Sequence, residues 1–526
     1  MSYFIQRLFI PSSGDPDGLY VRVNGKAFPN NLERGLCFKE KDILDFNSYF
    51  NSFYLKNFVS KTDVKTFFYD LIIDGSVDMK IYAEDVNGDK RILKKALWTG
   101  GDKRQKYRLD FSDVVCQARK SRIYLSLQAK SDKVIFYDGF LGSYDIPRNE
   151  VRLAVIICHF KKEAFVKNTI KKVLQDTELC KKDFELFIVD NGKTLKEKEF
   201  KDRRLHLIMN RNVGGSGGFS RGLVEAFERE RFTHFVCMDD DIEIQSESLF
   251  RLMTFYEYAR YDVAVAGAMF DLDHKMRLYE RGALYCRKYN GWTAFGCTPL
   301  DRDLNVASPK SLNRVLIEKE IDYGGFWFFA FSRDVVNRIG VLMPYFKKGD
   351  DMDFGLRVTR YAKRKIIALP GIGVWHHSFA KIDPPLDQYF YLRNNIINQV
   401  LHFQINYFKM TIMVTLFLLF RWRLGPKILD LSLLAVQDFL KGPKFLIYTK
   451  AEDILKEISL FNRNYPEMGA LRSFGKYING WIYWSWIVLT SYQRWKRAKR
   501  EWKESAMYLR SITFWKEYLR EESTRK

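Results

Sequence analysis

VRLAVIICHFKKEAFVKNTIKKVLQDTELCKKDFELFIVDNG, residues 151–192, decides the fold class. Its first ten residues form a nearly unbroken apolar run, the pattern of a strand covered on both faces. AFVKNTIKKVLQD (164–176) spaces its apolar residues for one face of a helix. FELFIVDNG (184–192) is a second apolar run that stops at Asp-Asn-Gly. LHLIMN (205–210) reads as a third strand, followed by the Gly-rich turn NRNVGGSGGFSRG (210–222), a helix near 219–230 and the strand-like FVCMDDD (235–241). Strands alternating with helices predict an α/β core with a mostly parallel sheet and crossover helices. Ligands bind such sheets beyond the carboxyl ends of the strands, where the Gly-rich and acidic segments fall.

Outward from this core the pattern changes on both sides. KTFFYDLIIDGSVDMKIYAEDV (65–86) and SRIYLSLQAKSDKVIFYDGFL (121–141) are rich in Tyr, Phe, Ile and Val and punctuated by Asp-Gly and Ser-Asp turns. They predict an all-β, jelly-roll-like sandwich over residues 1–148. Its aromatics, Trp98 among them, read first as core and second as platforms for sugar rings. The α/β region is expected over 149–385 and a mainly helical, basic region over 386–526. Within the latter, YINGWIYWSWIVLTSYQRWKRAKREWKE (477–504) joins an aromatic belt to a basic run. Such a segment suits a helix lying on an anionic membrane surface, and equally a helical domain with a solvated basic face.

The totals restrict the function classes. A chain of 526 residues exceeds one compact core, and 47% hydrophobic with 16% aromatic residues argues for packed structure. A net charge of +22 favours a polyanionic partner. Nucleic acid is not expected, because no RRM, KH, zinc-finger or helix-turn-helix signature is present. The seven cysteines include no CxxC pair, which argues against a disulfide framework or Cys-type zinc site and for a reducing cytoplasm. No secretory signal is read at the N-terminus. The longest apolar run, MTIMVTLFLLF (410–420), is shorter than the roughly 20 residues a spanning helix needs, so no bilayer-spanning helix is expected.

Four segments carry the chemistry. The Gly-rich turn fails the dinucleotide fingerprint, since Ser220 stands where the last glycine belongs. It also fails the Walker pattern, since Leu223 follows Gly222. It still permits close backbone approach to a nucleotide sugar. Asp239-Asp240-Asp241 places three like charges after an apolar strand, which a divalent cation would balance; a solvated acidic turn or helix cap is the plainer alternative. Gly349-Asp350-Asp351-Met352-Asp353 opens an amphipathic helix and offers a general base as well as N-terminal caps. His376, in VWHHS (374–378), is a candidate nitrogen ligand for the acidic cluster.

In this order the segments resemble glycosyltransferase family 2, the inverting, metal-dependent enzymes of the GT-A fold, a Rossmann-like nucleotide-diphospho-sugar transferase core. The galactan-building galactofuranosyltransferase branch is the nearest match. The resemblance rests on CHFKKE (158–163), VDNG (189–192), NVGGSGGFSRG, MDDDIEI, GDDMDFGLR and VWHHS, with DPDGLY (15–20) as a minor point, and it extends over almost the whole chain. It implies that Asp239, Asp241 and His376 hold Mn²⁺ or Mg²⁺. His159, Phe160, Lys161, Asp190, Asn191, Asn212, Gly214, Gly215 and Gly218 would hold the donor nucleotide, with Asp239 and Asp240 facing its ribose or sugar. Asp351, supported by Asp350, would be the catalytic base, and Trp327 and Phe328 would line the acceptor site. The branch carries a Trp-Trp pair where this chain has Trp327-Phe328. The implied reaction moves galactofuranose from UDP-galactofuranose to a glycan or lipid-linked glycan acceptor, on the cytoplasmic face of the cell membrane. Homo-oligomer formation is left open. Transfer of rhamnose or another hexose, and an inactive carbohydrate-binding or scaffold protein, are the alternatives.

Overall fold

The computed structural model describes residues 2–520 other than 13, 27, 31–34, 102, 286–287, 290–291, 294–296, 379–384, 422–423, 450 and 467–469. At its centre is a seven-stranded sheet. Its strands lie in the order Leu205–Met209, Asp183–Asp190, Arg152–His159, His234–Asp239, Phe329–Ser332, Val263–Ala266 and Lys365–Ile367. Phe329–Ser332 runs antiparallel to both its neighbours, and the remaining pairings are parallel. The mostly parallel sheet expected from the sequence is present, with the register Cys158↔Val189 and Cys158↔Asp239 aligning three strand ends.

This sheet is covered on both faces, which explains the unbroken apolar runs. Leu153, Val155 and Ile157 point into one hydrophobic core, and Ala154 and Ile156 point into another. The first core continues without interruption into the N-terminal region. That region consists of two antiparallel sheets, one of six strands and one of five, the β-sandwich that the alternating segments predict. Trp98 is half-buried against Tyr107, their ring centroids 4.8 Å apart. The second core holds the helix Gly214–Glu228 and the helices that begin at Pro385.

Polar groups also bind the sandwich to the α/β core. Arg122, fully buried, donates from Nε to Asn313 Oδ1 at 2.7 Å and from Nη2 to Glu84 Oε2 at 2.8 Å. Asn313 Nδ2 returns a bond to Glu84 Oε1 at 2.6 Å. A buried charge is tolerated only when its donors are satisfied in this way.

The C-terminal region is helical, as expected. Its helices include Pro385–His402, Tyr407–Arg421, Pro426–Leu440, Ala451–Asn464, Ala470–Thr490, Tyr492–Leu509 and Ile512–Arg520. The aromatic-basic segment 477–504 is split between two of them, which meet at Ser491. Among the described residues, no helix is long and apolar enough to cross a membrane.

Candidate active site

The carboxyl ends of the central strands deliver the acidic cluster. Asp239 ends its strand, and Asp241 follows in the turn. His376 ends the strand Gly373–His376, which joins a neighbouring sheet and pairs in parallel with Ala268–Asp271. The two segments meet so that His376 Nε2 lies 3.1 Å from Asp241 Oδ1. Ligand atoms of Asp239, Asp241 and His376 all fall within 4.8 Å of one another. Burial and the neighbouring Asp241, Asp240 and Asp350 push the Asp239 carboxyl up to about 7, against the pull of His376. Asp241 is also desolvated, yet the His376 hydrogen bond holds it below the usual carboxylate range. Two carboxylates and an imidazole crowded around one point fit a divalent cation of the Mg²⁺ or Mn²⁺ type.

Asp240 faces the other way. Its Oδ2 accepts the Phe160 N–H at 2.8 Å and lies 2.9 Å from His159 Nδ1, whose Nε2 is 3.1 Å from Thr194 Oγ1. His159 is fully buried, so it orients Asp240 rather than presenting its ring to a ligand. Phe160 and Lys161 are exposed beside it, and Lys161 takes a left-handed φ of 56°.

Several residues expected to touch the donor are buried and hydrogen-bonded within the protein. Asp190 is fully buried, and its two oxygens accept the N–H groups of Gly192, Thr194 and Leu195. Its carboxylate folds the Asp-Asn-Gly turn and does not reach the cleft. Asn191 is likewise committed: Nδ2 donates to Gly214 O at 2.9 Å, and Oδ1 accepts from Asn210.

The Gly-rich segment is not a loop. It is the first turns of the helix Gly214–Glu228, and Asn212 Oδ1 accepts the Gly214 N–H just before it. A Cβ on Gly218 would lie 2.1 Å from Cys158 Sγ, and one on Gly222 would lie 2.4 Å from Ile156 Cγ2. Both glycines let the helix press against the first strand, so Gly218 serves packing, not donor contact. Gly215 has open space before it and lines the cleft.

That cleft has a volume of about 460 Å³. Gly215, Asp239, Trp327, Asp350 and Asp351 all border it. Asp351 is the second residue of the helix Asp350–Arg360. Asp350 accepts a bond from Ser216 Oγ at 3.0 Å, which ties this helix to the Gly-rich one. Burial, and then the charge of Asp350, push the Asp351 carboxyl up to about 7. Trp327 is anchored by Nε1 donating to Gly267 O at 3.1 Å. Phe328 does not line the cleft: it is fully buried, and its ring occupies the space a Cβ on Gly267 would need. Trp327 lies on a turn just before a strand, and its successor points to the opposite side, into the core.

Glu280 was missing from the sequence-based set. It ends the strand Arg277–Glu280 and borders the same cleft, with Tyr279 and Arg302 beside it. Burial and the proximity of Asp351 push its carboxyl up to about 8. The only signal in the sequence was an acid in the otherwise apolar LYE.

The family described as glycosyltransferase like family 2 matches residues 149–394. Those residues form a glycosyltransferase domain of that family. The glycosyltransferase domain thus has the α/β GT-A core, with the β-rich region before it and the helical region after it. Over more of its length the chain is similar to galactofuranosyltransferase GlfT2 of Mycobacterium tuberculosis (strain H37Rv). The two are 24% identical over 503 residues, which cover 88% of this chain and 76% of the relative. GlfT2 of Mycolicibacterium smegmatis is 24% identical over 493 residues, covering 88% of this chain and 75% of the relative. Among solved structures, that of TarS residues 1–349 from S. aureus has a TM-score of 0.33 and 12% identity, and the match covers 68% of this chain and 91% of that one.

Proposed function

We propose that this glycosyltransferase moves galactofuranose from UDP-galactofuranose to a hydroxyl of a glycan acceptor, with inversion at the anomeric carbon. One observation carries the reading: Asp239 of the cation cluster and Asp351, a carboxylate poised as a base, border one cleft. The likeness to two galactofuranosyltransferases supports the choice of sugar.

Asp239, Asp241 and His376 would hold the divalent cation, which supplies positive charge to the diphosphate. The leaving group needs no acid, because UDP departs as an anion. Asp351 takes the proton of the acceptor hydroxyl while the hydroxyl oxygen bonds to the anomeric carbon. The bond from that carbon to the β-phosphate oxygen breaks on the opposite face, and its electron pair leaves with UDP. Asp350, held by Ser216, stays beside Asp351 and raises its proton affinity. Asp240, oriented by His159 and the Phe160 N–H, would meet the hydroxyls of the ribose or sugar. Trp327 offers an indole wall to the acceptor ring.

The reading includes attachment to an anionic membrane surface, the cytoplasmic leaflet where lipid-linked acceptors would be met. The helices Tyr407–Arg421 and Ala470–Thr490 are neighbours, joined by the Trp484 Nε1 bond to Thr415 Oγ1 at 3.0 Å. Together they expose Phe408, Phe420, Ile482, Trp486 and Leu489. Lys409, Lys476 and Arg494 flank these apolar groups in the sequence. Such a surface binds anionic bilayers through apolar insertion and charge together. Co-sedimentation with anionic vesicles that weakens with salt is expected; a protein left in the supernatant at low salt would remove membrane attachment from the reading.

UDP release with Mn²⁺ and a panel of donors tests the reaction. The panel is UDP-galactofuranose, UDP-galactopyranose, UDP-glucose and dTDP-rhamnose, each with a galactoside acceptor. Turnover of UDP-galactofuranose, abolished in Asp351→Ala and by chelation, is the expected result. Turnover of dTDP-rhamnose alone would overturn the sugar, and turnover that survives Asp351→Ala would overturn the base.

A further inference from the structure

The helix that carries Asp351 is gripped from behind. Asp353 follows two positions later, about 200° around the helix, so it faces away from the cleft. It is fully buried and receives three bonds. Arg357 Nε donates to Oδ2 at 2.9 Å, Arg510 Nη2 donates to Oδ1 at 2.7 Å, and His402 Nε2 lies 2.8 Å from Oδ1. Two of these partners come from the C-terminal helical region. A buried ion pair contributes little net stability once desolvation is counted, but three directional bonds on one carboxylate fix the rotation of the helix that bears it.

The same segment also holds residues 340–342 and the Gly-rich helix. Arg510 O accepts the Val341 N–H at 2.8 Å, and Gly340, at φ 70°, leaves room for that carbonyl: a Cβ there would lie 2.3 Å from it. Five residues on, in the helix Ile512–Arg520, Trp515 is buried, and its Nε1 donates to Leu342 O at 2.8 Å. Its ring comes within 3.4 Å of where a Cβ on Gly217 would stand, in the Gly-rich helix. Arg211, just before that helix, donates to Tyr518 O at 3.0 Å. Segment 510–518 therefore touches both helices whose near ends meet at the Ser216–Asp350 bond.

We propose that segment 510–518 is a positioning element of the active site, in which Arg510 sets the rotation of the Asp351 helix through Asp353 and Trp515 sets the Gly-rich helix against it. The proposal rests on the assignment of Asp351 as the base. It makes chemistry depend on how the helical region is docked, although no residue of that segment lines the cleft. Because Asp351 must lie within hydrogen-bond reach of the acceptor hydroxyl, a small rotation of its helix is costly to the rate and neutral for donor binding.

The test compares Arg510→Met with Arg510→Lys in the full chain. Readouts are kcat, donor KM, the thermal midpoint and hydrogen exchange of segments 212–222 and 346–360. For Arg510→Met, kcat is expected to fall roughly 10- to 100-fold, the scale of an ångström-sized misplacement, with donor KM within about twofold. Exchange should quicken in both segments and not in the sandwich, and Arg510→Lys should recover most of the rate. Unchanged kcat and exchange would overturn the proposal, as would a loss of rate that only follows the folded fraction. If the wild-type chain turns over no donor, the transferase reading fails. The exchange pattern then still decides whether Arg510 holds the two helices.

Discussion

Asp351 sits in a field of other carboxylates. Asp350 precedes it, and Asp239 and Glu280 border the same cleft. Its proton affinity is raised by burial first and by Asp350 second. A general base works only when deprotonated, so turnover should climb as pH rises through about 7 and be lost below it. Asp350→Asn removes the nearest like charge and should move that limb to lower pH. A kcat profile between about pH 5.5 and 8.5 checks both, and a flat profile would detach Asp351 from the proton transfer. Glu280 has the same cause of elevation, so it remains largely protonated at neutral pH and can donate a hydrogen bond to an acceptor oxygen.

At the scale of elements, the Gly-rich helix is pressed closely against the first strand. Gly218→Ala would force a methyl group against Cys158 Sγ, and overpacking of this kind costs roughly 1–3 kcal/mol. The expected result is a lowered denaturation midpoint together with lost turnover, since the strand end that moves also carries His159. Retained stability would mean that the helix can slide outward without penalty. This element also shows where sequence reasoning stops. Runs such as VRLAVIICHF announced a buried parallel strand because both faces are apolar, and the Asp-Asp-Asp cluster announced itself by its uncompensated charge. Glycine gives no comparable signal. The same five glycines suit a loop around phosphate or a helix pressed on a strand, and only the neighbouring Cys158 and Ile156 distinguish the two. That Asp190 and Phe328 are buried was hidden for a related reason. A carboxylate consumed by its own turn and a ring pointing into the core carry the same letters as ones that face a ligand. Glu280 was invisible because its chemistry arises from Asp351, a neighbour 71 positions away in the chain.

Across the whole molecule, the central sheet separates two hydrophobic cores, and neither is confined to one region. One runs from the sandwich through the odd-numbered residues of the first strand, and the other runs from the even-numbered residues into the C-terminal helices. The Arg122–Glu84–Asn313 network crosses the first of these junctions with a buried charge at its centre. Had the sandwich been a module loosely strung beside the catalytic unit, its melting would be an event of its own. Separating the two surfaces would instead take Asn313 away from both Arg122 Nε and Glu84 Oε1 and leave a sheet face bare to water, so neither half is a comfortable resting state. Scanning calorimetry should accordingly register the sandwich and the catalytic unit as a single heat-absorption peak, and two resolved peaks would show that the junction yields first. Selection could therefore lend the sandwich a new ligand surface with ease, but could hardly discard it.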